Sequence, residues 1–200
     1  MTGDGAARGG FGLGPYYQNE GDGQERKWFI RGISWGVDIV AVIALAFFAV
    51  VMLGTKLTVS GRSMEPLLSS GDVVLLDKLW YNFSEPKRMD VIAFTDPEDE
   101  TRTYIKRIAG LPGERIQIRE GRLFVNGIAA TDLSEREPIK TAGLAESEIE
   151  LAEDEYFVLG DNADTSEDSR FSNVGNVRRD QIRGRVWFRM SPFERLGLIR

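Results

Sequence analysis

The residues of this chain that could do covalent chemistry are a serine at 63, a lysine at 106 and the polar groups of a loop at 160–170. What the sequence lacks narrows the chemistry. Its 200 residues include no histidine and no cysteine. A Ser–His–Asp triad, a thiol nucleophile, a disulfide and a zinc site built on histidine or cysteine are all excluded. A hydrolase made from this sequence must take its base from a carboxylate, a lysine or a tyrosine. Ser63 stands in Val59-Ser60-Gly61-Arg62-Ser63-Met64-Glu65-Pro66, where Gly61 frees the backbone and Pro66 fixes it. Lys106 stands in Tyr104-Ile105-Lys106-Arg107-Ile108; on a strand, alternation sets it on one face with Tyr104 and Ile108. A lysine amine in apolar surroundings loses solvation of its charged form, and when neutral it can deprotonate a serine. The third stretch, Gly160-Asp161-Asn162-Ala163-Asp164-Thr165-Ser166-Glu167-Asp168-Ser169-Arg170, offers short polar side chains, with Asp168 and Arg170 able to pair. Taken singly, these read equally well as a structural loop, a solvated strand face and an Asx-rich turn. An EF-hand does not fit the third, which lacks the regular acidic ladder and closing glutamate, and no metal or cofactor is expected.

The elements that must position these groups begin with an apolar run, Ile33 to Thr55, in which Asp38 is the one charged residue. As a helix it reaches about 34 Å, enough to cross a bilayer, and it is apolar on all sides. Trp28, Phe29 and Trp35 lie where interfacial aromatics belong. The run is too long and starts too late for a cleaved leader, which favours an uncleaved anchor. Arg26, Lys27 and Arg31 before it, against Lys56 and Arg62 after it, favour a cytoplasmic N-terminus. Residues 1–25 are rich in glycine and polar groups and are expected to be disordered. Residues 26–57 then form the anchor with its flanks, and 58–200 an extracytoplasmic domain. Short β-branched and aromatic runs at 73–77, 90–94, 103–109, 115–118, 122–126, 155–160 and 184–190, separated by turn signals, predict strands. The polar stretch 130–152 reads as a surface excursion. A formal charge of −6, with no dense basic block, speaks against a nucleic-acid partner.

The order of the motifs is more specific than any one of them. Ser63-Met64-x-Pro66 follows a single span. Gly71-Asp72 comes next, then Arg88-Met89-Asp90-Val91-Ile92. Tyr104-Ile105-Lys106-Arg107 with Gly110-Leu111-Pro112-Gly113 follows, and last Gly160-Asp161-Asn162 with Ser166-x-Asp168-Ser169-Arg170. This succession, over residues 33–193, resembles the bacterial type I signal peptidases, and the absence of histidine suits their Ser/Lys dyad. The resemblance implies a mainly β fold: a partly closed, barrel-like antiparallel sheet carrying the catalytic residues, behind one N-terminal transmembrane helix. It implies Ser63 as nucleophile, Lys106 as general base, Ser166 as the hydroxyl that orients the lysine, and Asp168–Arg170 as an ion pair behind the site, with Asp161 pairing to Arg107. It also implies cleavage of exported preproteins after an A-x-A pattern, at the plasma membrane and near the secretion translocon. Shallow pockets for small side chains are expected around Met64, Leu67, Ile92 and Ile105. Some members carry an oxyanion-stabilising serine two positions before the nucleophile; here that position is Gly61. Leu67 and Ala163 also depart from the common pattern without removing a reacting group. Two rival readings are a self-cleaving repressor-type serine protease, disfavoured by the span, and a catalytically silent membrane-anchored scaffold.

Overall fold

The structure is a computed structural model that describes residues 21–96, 99, 101–131 and 138–199. The chain divides into two units, Met1–Val50 and Val51–Arg200. The first is dominated by helix α1 (Gly21–Leu53). Within it, Arg31–Phe48 has a mean hydropathy of 1.7 and none of its side chains is buried, so by length and composition it is a candidate membrane span. The helix begins at Gly21, so 21–25, expected to be disordered, are helical; Gln24, Glu25, Arg26 and Lys27 are good helix formers. Residues 1–20 of the expected tail lie outside the described residues.

The second unit is built on antiparallel β structure, as the alternation of short apolar runs and turn signals predicts. Its elements in chain order are β1 (Thr55–Thr58), β2 (Val73–Asp77), α2 (Trp80–Phe83), β3 (Val91–Thr95), β4 (Thr103–Gly110), β5 (Arg115–Arg119), β6 (Arg122–Val125), β7 (Ile128–Ala129), β8 (Ile149–Glu150), β9 (Glu155–Leu159), β10 (Val177–Arg178), β11 (Ile182–Ser191) and β12 (Gly197–Leu198). The larger sheet runs β1-β2-β11-β3-β4-β9-β10, with β12 on β11; the smaller runs β7-β6-β5-β8. The path of the larger sheet is open. Among the described residues β1 and β10 stand at its ends without pairing to each other, so the sheet does not close into a barrel.

The central strands are covered on both faces. On β3, Val91 and Ala93 enter one core cluster with Val59, Met64, Leu68 and Ile105, while Ile92 and Phe94 enter a second with Ile108 and Val158. Four of the five β3 residues are therefore buried, as a continuous β-branched and aromatic run requires. A third cluster lies under the smaller sheet and contains Ile116, Leu123, Ala145, Leu151 and Phe157. It also takes in part of 130–152, the stretch read as a surface excursion, most of whose described residues are exposed. Of that stretch 132–137 lie outside the described residues, but Ala145 and Leu151 are buried, and Ile139, Ala142 and Ile149 pack against the same cluster.

Candidate active site

Two loops and one strand assemble the reactive groups. The loop carrying Ser63 joins the paired strands β1 and β2 and is closed at its neck, where the Val59 N–H donates to the Asp72 carbonyl (2.8 Å) and the Gly71 N–H to that of Val59 (2.9 Å). Gly61, at φ +86°, takes the left-handed turn before the serine that a side chain would resist. Beyond it, Asp72 is buried and accepts from the Ser69 N–H at 3.0 Å. Its Oδ2 also lies 3.5 Å from Arg189 and 3.8 Å from Arg195. Arg189 donates as well to the Leu67 carbonyl (2.6 Å), and Arg195 to Ser69 Oγ (2.8 Å). Residues late in the chain thus clamp the segment that follows Ser63.

Lys106 comes from β4, next to β9 in a register that pairs Arg107 with Leu159. That pairing delivers the 160–170 loop beside the lysine. The Asn162 N–H donates to the Ser63 carbonyl at 3.0 Å, joining this loop to the one that carries Ser63. Gly160 sits where the parts meet. A Cβ there would stand 2.2 Å from Ser166 Oγ and 2.5 Å from the Ser63 carbonyl oxygen. Replacement by alanine is expected to push the Ser63 and Ser166 segments apart and to lower kcat by on the order of 100-fold, since displacements of this scale are felt at that level. Titration of the active serine with a fluorophosphonate probe, beside a thermal melt, checks it.

The reactive pair itself is direct: Lys106 Nζ lies 2.8 Å from Ser63 Oγ. The lysine is only 3 % exposed, and its Nζ is 5.5 Å from the Tyr104 ring centroid. Burial pulls its pKa from 10.5 down to about 8; Asp168 and Glu167 oppose the shift and Arg170 assists it. Behind it, Asp168 and Arg170 are 0 % and 1 % exposed. Asp168 accepts from Arg170 Nε (2.8 Å) and Nη2 (3.0 Å) and from the Gly160 N–H (3.1 Å). Arg170 donates further to the Ala163 carbonyl (2.7 Å) and the Thr141 carbonyl (3.0 Å), while its own carbonyl accepts from the Leu144 N–H (2.8 Å). The 138–146 segment therefore braces the catalytic loop. Asp161 holds Arg107 through two bonds of 2.9 and 2.8 Å, both side chains buried.

Ser166 is buried close to the pair, yet its Oγ has no hydrogen-bond partner among the described residues. The bond to Lys106 implied by the resemblance is not formed; the lysine is turned to Ser63 instead. A cleft of about 230 Å³ opens over Ser63 and Lys106, lined by Leu57, Val59, Met64 and Ile105 and on its polar side by Ser60, Thr165 and Glu167. Of the expected pocket residues, Met64 and Ile105 line it. Leu67 packs against the first core cluster, and Ile92 is wholly buried in the second. The sequence reading missed the brace at 138–146 and Glu167. The brace follows from no periodicity; in the structure Gly143, at φ +57°, comes so close that a Cβ there would stand 2.2 Å from the Arg170 carbonyl oxygen.

A serine bonded to a desolvated lysine, with no histidine in the chain, is the arrangement of a serine hydrolase whose base is an amine. The comparisons agree. A family profile described as "Signal peptidase, peptidase S26" matches residues 32–191. The signal peptidase I of Bacillus caldolyticus is 34 % identical over 192 residues, 90 % of this chain and 97 % of that one. The signal peptidase I P of Bacillus subtilis subsp. natto is 32 % identical, covering 82 % and 91 %. The signal peptidase I of Leptolyngbya laminosa is 34 % identical, covering 70 % of each. The chain belongs to the signal peptidase family, peptidase S26, and is a serine endopeptidase that removes signal peptides.

Proposed function

We propose that Ser63 and Lys106 are the nucleophile and general base with which this enzyme cuts preproteins. The carrying observation is the 2.8 Å contact between Lys106 Nζ and Ser63 Oγ in a setting that burial has dried. Neutral Lys106 removes the Ser63 proton as Oγ attacks the scissile carbonyl. The resulting ammonium protonates the departing amine, which becomes the new N-terminus of the mature protein. Water, deprotonated by the same lysine, then hydrolyses the Ser63 ester and frees the signal peptide. The Ser63 backbone N–H is one oxyanion donor; Gly61 has no hydroxyl to act as another, so a second must come from elsewhere. Ser166 offers its buried hydroxyl as the acceptor that keeps Lys106 in place once Ser63 is acylated. An unpaired buried hydroxyl costs about 1–3 kcal/mol, a cost that such a role would explain. Asp168, Arg170 and the Arg107–Asp161 pair hold the frame.

The cleft's apolar lining suits small side chains before the cut, in the A-x-A pattern. The enzyme acts with its N-terminus in the cytoplasm and residues 58–200 outside, anchored by α1 and working beside the translocon. The excess of cations ahead of the span supports this orientation.

The test is cleavage of an A-x-A preprotein by the purified protein in detergent and lipid, read by mass spectrometry across pH. Because the base must be neutral and its pKa is held near 8, kcat/KM should rise tenfold per pH unit below about 8 and level above it. Cleavage at the expected bond, absent in Ser63→Ala, supports the assignment. A profile flat from pH 6 to 9, with chemistry rate-limiting, removes Lys106 as the base. No cleavage by folded wild type would turn the reading toward a silent scaffold.

A further inference from the structure

Glu167 lies between Ser166 and Asp168, both buried, but is itself exposed and lines the cleft with Ser63, Lys106 and Tyr104. The charges in that lining are Arg62, Lys106 and Glu167. Arg62 is paired with Glu65 at 3.0 Å. Lys106 is neutral in the form that starts the reaction. Glu167 makes no hydrogen bond or ion pair among the described residues, so the working cleft carries one uncompensated negative charge, beside the bond to be cut. Its charge is felt inside the cleft: it favours the ammonium form of Lys106, and it adds to the rise that burial and Asp96 give the Tyr104 phenol. The other charges acting on Lys106 are Asp168 and Arg170, which neutralise each other at 2.8 Å; those acting on Tyr104 are Asp96 and Arg102, themselves 3.8 Å apart.

We propose that Glu167 is a specificity-determining residue that selects the charge of the substrate side chains flanking the scissile bond, favouring lysine or arginine and disfavouring aspartate or glutamate. The inference rests on the assignment of the cleft to Ser63 and Lys106. Since Glu167 is exposed, the discrimination is that of a solvent-facing ion pair, about fivefold between lysine and glutamate at the responsive position, and it shrinks with salt.

The experiment uses the full-length enzyme and preproteins identical except for one residue, either the middle residue of the A-x-A pattern or the residue immediately after the cut, set to Lys, Gln or Glu, in competition at low salt and at high salt. Wild type is expected to prefer Lys over Gln over Glu at one such position. Glu167→Gln should level the series, and Glu167→Lys should invert it. Glu167→Gln should also move the acid limb of the pH profile to lower pH, which a purely structural role would not do. Equal rates for all three substrates in wild type, or a lysine preference that persists in Glu167→Lys, overturn the proposal while leaving the dyad intact. If wild type leaves even the Gln substrate whole, the reading of the site falls and this inference falls with it.

Discussion

Lys106→Ala is expected to lower kcat/KM by on the order of 10²- to 10⁴-fold, the usual worth of a positioned general base, while the protein stays folded. The second half follows from the sign of the pKa shift. The folded-state value, about 8, lies below the 10.5 of a free lysine. Between these values the unfolded chain binds the extra proton, so stability from this group rises with pH across that window. Below about pH 8 both states are charged and the fold bears the whole burden of the buried ammonium, about 3 kcal/mol at 1.36 kcal/mol per pKa unit. Lys106→Met, which removes the charge and keeps most of the volume, should therefore melt higher than wild type at pH 7 and be just as inactive. Thermal melts beside preprotein cleavage check both parts. A mutant that is inactive because it is unfolded would not support the assignment; one that still cuts would refute it.

The second large effect is on stability. Arg170→Met leaves the Asp168 carboxylate fully buried with its main partner gone, and breaking such a pair from one side costs about 3–5 kcal/mol. In a domain of this size that is a fall of about 10 °C or more in Tm. It also frees the Thr141 and Ala163 carbonyls, so the brace from 138–146 slackens together with the catalytic loop. Asp168→Asn with Arg170→Met should recover part of the loss, because the uncompensated charge is then absent. A double-mutant cycle read by thermal or denaturant unfolding measures the coupling. Additive effects within 0.5 kcal/mol would mean the pair contributes no more than its separate contacts.

Much of this was legible in the sequence where residue chemistry leaves few choices. Singly, the Gly/Pro-flanked serine and the strand lysine read as ordinary structure; the order of the motifs, with histidine absent, carried the resemblance that implied Ser63 and Lys106 as a pair, and the structure brings them within hydrogen-bond distance. The long strands were visible as β-branched runs. β7, β8, β10 and β12 were not, because two residues carry no period. β1 was missed because Thr-Lys-Leu-Thr directly follows the long apolar helix. The packing of 138–151 was hidden because Ala142, Ala145 and Leu151 are small or isolated among charges, while their burial depends on distant Ile116 and Phe157. Ile92 was set in the cleft by its neighbourhood alone; on a strand covered on both faces, alternation does not separate a pocket wall from a core. Glu167 looked like one more solvated acid in an acidic loop, and only the fold turns it to the cleft.

The clamp on the nucleophile loop has a consequence for timing. Arg189 and Leu67 are 122 residues apart, and strand β2, which ends the Ser63 loop, gains its second, inner neighbour only from β11. A chain made from its N-terminus delivers Ser63 and Lys106 well before Arg189 and Arg195, which clamp the segment after Ser63. Until residues 182–199 arrive and dock, the nucleophile's loop lacks its support on one side. The support of the Ser63 loop is therefore among the last parts of the fold to be completed as the chain is made.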